Sequence, residues 1–144
     1  MCMFAPPPSA DVEKVFLSYP ENIRRKLYLL RDLILKTASS IDAVGPVTET
    51  LKWGEVAYLT EMSKSGSTIR IGWKPSSPTQ YVMYFNCKTS LVDTFRVLFP
   101  ELSFVGNRAL VFEESEELPV DSVSQCVEIA LTYHLRKKNR RSLK

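Results

Sequence analysis

Residues 68–74, TIRIGWK, decide the fold class. Ile69, Ile71 and Trp73 alternate with Thr68, Arg70, Gly72 and Lys74. A period of two is that of a strand with one buried and one wetter face. The same period continues on both sides. Residues 56–61 read as a strand that reaches this one through the polar loop Ser63, Lys64, Ser65, Gly66, Ser67. Pro75 and Pro78 stop the run. Residues 81–87 follow as a further strand, with Tyr81, Met83, Phe85 and Cys87 on one side and Val82, Tyr84 and Asn86 on the other. Upstream, residues 51–53 read as a short strand and Gly54 as a bend or bulge. Downstream, residues 102–105, a turn at Gly106 and Asn107, and residues 108–112 form another hairpin.

Helical periods flank these strands. Ser9 caps a short helix over residues 10–18 with Val12 and Phe16 inward. From Pro20 onward Ile23, Leu27, Leu30, Ile34 and Ala38 line one stripe, leaving Arg24, Arg25, Arg31 and Asp32 mostly to water. Thr89 or Ser90 caps a helix ending at Phe99, and a last helix runs from Pro119 to about Lys138 on Val120, Val123, Val127, Ala130 and His134. The expected fold class is α+β, a two-layer sandwich: a mainly antiparallel sheet of five or six strands with the N- and C-terminal helices packed on one face. Residues 1–9 form a Pro-rich leader, 10–138 a single domain and 139–144 a basic tail.

A chain of 144 residues buries about two thirds of its unfolded surface, which is enough for a core without staples. Cys2, Cys87 and Cys126 form no metal-type pair and suit a reducing compartment. The leader lacks the basic and apolar regions of a signal peptide, and the most apolar run, residues 27–35, is far short of a membrane span. A cytoplasmic protein is expected. The net charge of +3 conceals six cations in the last nine residues, and the remainder holds 13 basic against 16 acidic residues. A nucleic-acid footprint over the whole surface is therefore not supported.

Four segments together resemble the YdhG-like family of small domains, largely of unknown function, which includes a frataxin-like intracellular iron chaperone. They are YPENIRRKLYLLRDLILKTA (19–38), ETLKWGEVAYLT (49–60), YFNCKTSLVDTF (84–95) and GNRALVF (106–112). The resemblance implies an α+β sandwich in the cytoplasm that handles iron or another small ligand, and it supplies no functional residues to carry over.

Candidate chemistry is sparse. Cys126 and His134 are eight positions apart on one helix, about 12 Å along its axis, too far to share an ion. Glu113, Glu114, Glu116 and Glu117 offer hard oxygen ligands to iron, although a solvated acidic loop accounts for the same residues. Cys87 precedes a helix start and Lys88, but alternation from Tyr81 places it on the buried side as a packed thiol. With one histidine and five scattered glycines, neither a catalytic triad nor a phosphate loop is supported, and no catalytic residue is assigned. Arg70, Lys74 and Tyr84 should share the face opposite Ile69 and Ile71, where cations and an aromatic ring could hold a nucleotide or single strand; the alternative is the ordinary polar face of an antiparallel sheet. Trp53, beside Gly54 and Lys52, either lines a cleft at the sheet edge or anchors the core. In the tail, Arg136, Lys137, Lys138, Arg140 and Arg141 either complement a helix C-terminus or bind polyanions. Two readings result: a non-enzymatic binding domain handling iron or a small ligand, and a nucleotide or nucleic-acid binder using the sheet face and tail.

Overall fold

The computed structural model describes residues 6–136. It has the expected α+β sandwich. Helices α1 (Ala10–Leu17) and α2 (Glu21–Ser39) precede strands β1 (Thr48–Lys52), β2 (Glu55–Leu59), β3 (Ile69–Gly72) and β4 (Gln80–Tyr84). Helix α3 (Leu91–Leu98), strands β5 (Ser103–Val105) and β6 (Ala109–Glu113), and helix α4 (Val120–Leu131) complete the domain. The six strands form one antiparallel sheet in the order β1-β2-β3-β4-β6-β5. β6 reaches β4 because the α3 excursion returns the chain past it, leaving β5 at the edge.

Register divides the two faces. Val56, Ile71, Met83 and Leu110 lie opposite one another in a single row across β2, β3, β4 and β6. All four are fully buried, together with Tyr58, Ile69 and Tyr81. The helices roof this side with Phe16, Leu27, Leu30, Ile34, Phe95, Val123 and Val127. Ser9 accepts a hydrogen bond from the Val12 N–H as α1 begins. Arg24 of α2 closes the other end of α1, donating from Nε to the Phe16 carbonyl and from Nη2 to the Tyr19 carbonyl, both at 3.1 Å. A cation there satisfies carbonyls that the helix leaves open.

Arg31 departs from its expected exposure and is 4 % exposed. Its guanidinium grips Glu49 of β1 at 2.6 and 3.2 Å, and Tyr58 donates to the same carboxylate at 2.7 Å. Arg31 also donates to the Pro6 carbonyl. Helical spacing cannot reveal a buried charge whose partner lies 18 residues away in a strand. Losing one member of such a set strands the other's charge, a loss of roughly 3–5 kcal/mol.

The loop between β2 and β3 is a second departure. Ser65 and Ser67, expected as loop polars, are buried. Ser65 donates its hydroxyl to the Leu131 carbonyl at 2.8 Å, the Ser67 N–H donates to Ala130 at 2.9 Å, and His134 donates its N–H to the Ser65 carbonyl at 2.9 Å. The loop thus caps α4 from outside. This accounts for the break after Leu131, where α4 ends and Thr132 intervenes before residues 133–136 turn helical again; the expected helix end near residue 138 lies outside the described residues. Lys137, Lys138, Arg140 and Arg141 lie outside the described residues.

The close approach requires a glycine. A Cβ at Gly66 would stand 2.3 Å from the Leu131 carbonyl oxygen and 2.5 Å from its carbon, both backbone atoms. Gly66→Ala should therefore destabilise the domain by about 2–4 kcal/mol and lower its thermal midpoint by roughly 10 °C. A melt that moves by less than about 2 °C would show that the loop is not clamped on the helix end.

Candidate functional site

The face of the sheet away from the helices carries a second row: Ala57, Arg70, Tyr84 and Ala109 stand opposite one another across β2, β3, β4 and β6. The two alanines and Gly72 supply little bulk, so Arg70 and Tyr84 rise above their surroundings. Three cations gather on the Tyr84 ring. The Arg70 guanidinium lies 5.4 Å from its centroid, the Lys74 ammonium 5.8 Å and the Arg108 guanidinium 5.8 Å. Like charges repel, and the ring's negative face is what lets them converge. Tyr84 is only 6 % exposed because these side chains cover it.

One carboxylate enters this group. Glu55 of β2 pairs with Arg70 at 3.2 Å and occupies the space left by Gly72, where a Cβ would come within 2.9 Å of its Oε2. Partial burial raises the Glu55 carboxyl above its ordinary range, and Arg70, Lys74 and Arg108 pull it down again. With Lys52 alongside, four cations face one acid, on a domain body that is otherwise net acidic.

Two hollows open on this face, divided by Arg108, which lines both. One, about 220 Å³, is bordered by Lys52, Trp53, Arg70 and Cys87. The other, about 360 Å³, has Val82, Ala109 and Val111 as its floor and Lys74, Gln80 and Asn107 on its rim.

Trp53 is 91 % exposed, which excludes the core-anchor reading. It is not in a strand. With Gly54 it forms the two-residue loop of the β1–β2 hairpin, where Lys52 pairs with Glu55. Both loop residues have positive φ, 56° for Trp53 and 78° for Gly54, as a type I′ turn demands. The bend expected at Gly54 is therefore one half of a tight turn. Asn or Gly is the ordinary first residue of such a turn, and a bulky side chain there is strained. A strained aromatic that buries almost nothing is a signature of use rather than of stability. Trp53→Asn should accordingly raise stability by about 1 kcal/mol and the thermal midpoint by roughly 3–5 °C; a fall in the midpoint would mean that the indole supports the fold.

Of the residues singled out by sequence, Arg70, Lys74 and Tyr84 come together as one cluster and Trp53 borders the adjacent hollow. Cys87 is exposed rather than packed. β4 ends at Tyr84, and Asn86 Oδ1 accepts from the Lys88 N–H in a local turn, so alternation no longer governs position 87. Cys126 is the buried thiol, pushed up to about 12 by burial and by Glu101.

The glutamates do not converge. Glu113 accepts from Gln80 Nε2 at 2.6 Å on the open face, Glu114 adds to the burial that raises the Tyr81 phenol, and Glu117 borders a groove between α2 and α4. Among the described residues no group of three or more His, Cys, Asp or Glu is placed to hold a metal ion. That groove, about 600 Å³, has Leu29, Leu33, Leu118 and Val120 at its base and charges of both signs on its rim.

Arg108 and Glu55 were not legible as site residues. Strict alternation with Ala109 would send Arg108 to the helix side, but it belongs to the turn over 106–108, where alternation lapses. Glu55 needed β2 to begin one residue earlier than the sequence reading placed it. Among the described residues no helix is long and apolar enough to cross a membrane. Compared with models of known protein families, with curated proteins and with solved structures, the chain matches none. The likeness to the YdhG-like family thus rests on the quoted segments alone.

Proposed function

We propose that the domain is a non-enzymatic, cytoplasmic binding module whose ligand is a nucleotide or a short single strand, held on the open face of the sheet. The observation that carries this reading is the convergence of Arg70, Lys74 and Arg108 on Tyr84, with an exposed tryptophan at the edge of the same surface. Cations neutralise phosphate, and aromatic rings receive bases whatever their identity. Iron handling through Glu113, Glu114, Glu116 and Glu117, which the family resemblance suggests, is supported less well, because Glu113, Glu114 and Glu117 serve different surroundings.

Counterion release supplies the first test. A protein that neutralises three or four phosphates of a single strand loses roughly 20- to 50-fold in affinity between 50 and 200 mM salt. A labelled thymidine decamer followed by fluorescence anisotropy should show that dependence, and Arg108→Ala should both weaken binding and flatten it by about one phosphate's share. No binding, or binding indifferent to salt, would remove the proposal. Binding that survives Arg70→Ala together with Arg108→Ala but vanishes when residues 137–144 are deleted would assign it to the basic tail instead.

Glu55 supplies a second test through its titration. Its carboxyl is raised, chiefly by burial, so acidification protonates it earlier than an exposed glutamate and removes the anion paired with Arg70. Phosphodiesters and thymine do not titrate over the same interval. Affinity for the decamer should therefore rise as pH falls from 7.5 toward 5. Glu55→Gln should bind about 3- to 10-fold more tightly at pH 7.5 and lose most of that pH dependence. An unchanged pH profile in the variant would show that Glu55 does not compete with the ligand.

A further inference from the structure

We infer that the ligand of this face is a run of single-stranded polynucleotide that engages it with at least two adjacent nucleotides, an inference that rests on the sheet-face reading above. The surface has a sequence of its own. From the β1–β2 tip toward β5 it presents Trp53 and its hollow, then the cations Arg70 and Arg108, then the second hollow floored by Val82 and Val111. Base, phosphate, base is the order in which a polynucleotide presents the complementary chemistry. A mononucleotide fills one hollow and leaves the other wet.

The span agrees with this order. The hairpin tip belongs to β1 and β2, whereas the second hollow lies on β4 and β6, two to three strands further along the sheet. At roughly 4.8 Å per strand the hairpin tip that carries Trp53 and the second hollow are about 10–15 Å apart. Each hollow is shallow and open, and Trp53 stands at the margin of the sheet, so a chain can enter and leave without threading. Asn107 and Gln80 are the amides beside the second hollow. Gln80 is engaged by Glu113, and Asn107 donates its Nδ2 to the Cys87 carbonyl at 3.2 Å, which leaves its Oδ1 to meet a base edge. Selectivity should be modest, because apolar floors and an indole accept any base.

The experiment is a length ladder on the full chain: thymidine monophosphate, the dinucleotide, the tetranucleotide, the matching uridine series, and NAD as a pyrophosphate-linked control, all titrated by calorimetry. The expected result is a gain of at least about 10-fold between the mononucleotide and the tetranucleotide in one series or both, with the uridine arm telling ribose from deoxyribose. Base stacking on an aromatic side chain accounts for roughly 5- to 100-fold, so Trp53→Ala should weaken the tetranucleotide at least about 5-fold more than it weakens the mononucleotide, erasing most of the length step. Trp53 is exposed, so its loss does not threaten folding, and circular dichroism checks this. A ladder without a length step, or a step that Trp53→Ala leaves intact, would overturn the two-hollow span while the sheet-face reading stands. NAD binding as tightly as the tetranucleotide would overturn the strand in favour of a small dinucleotide. If no ligand binds at all, both readings fail together.

Discussion

The register of β3 against β4 is the constraint on which everything else depends. Arg70 opposite Tyr84 and Ile71 opposite Met83 are consecutive rungs of one ladder. The first rung builds the cationic surface, the second the floor of the core. A slip of one residue would send Arg70 into the helices and Ile71 into water, so the burial of Ile69, Ile71 and Met83 holds the cationic face in place without touching it. Core and site are two sides of the same pairing, and selection for one fixes the geometry of the other.

This coupling explains why a large part of the fold and some of the site were legible. Alternation in TIRIGWK needs no knowledge of partners: it states which residues share a face, and Arg70, Lys74 and Tyr84 do share one. The legible part ended wherever a residue's position is set by something other than period. Arg31 is buried because Glu49 and Tyr58 await it across 18 and more residues. Ser65 and Ser67 are buried because the end of α4 needs donors. Arg108 and Cys87 fall in turns, where side chains follow local dihedrals instead of the pleat. Trp53 escaped for a related reason. A Trp-Gly pair does not advertise a type I′ turn, since the residue that ordinarily does so is asparagine, and tryptophan fits that backbone poorly.

A tryptophan in that turn sets stability against placement. The hairpin register is already specified by five consecutive β1–β2 pairs, so the turn can tolerate a residue that works against it by about 1 kcal/mol. The fold supports the strain, and the strain places an indole beside Lys52 and Arg70 at the end of the cationic row. The same division holds in the loop at residues 63–67, where Gly66 and the two buried serines meet the α4 terminus. One hairpin end is built for stability and the other against it.

The electrostatics follow the same division. The body of the domain is net acidic, with 13 basic against 16 acidic residues outside the last nine, yet Lys52, Arg70, Lys74 and Arg108 are concentrated on one surface. Left alone, such a group repels itself. The Tyr84 ring and the Glu55 carboxylate hold it together in the free protein, the ring through its negative face and the carboxylate by pairing with Arg70. Neither is a full counter-charge for four cations: Glu55 is partly desolvated and inclined to take a proton, and the ring carries no net charge. Set against Glu55 and Glu113, the two carboxylates of this face, Lys52, Arg70, Lys74 and Arg108 leave it under-neutralised by two charges. A ligand that brings one negative charge per repeat, together with flat apolar rings to cover Val82 and Val111, answers both deficits, whereas a bare metal ion answers neither.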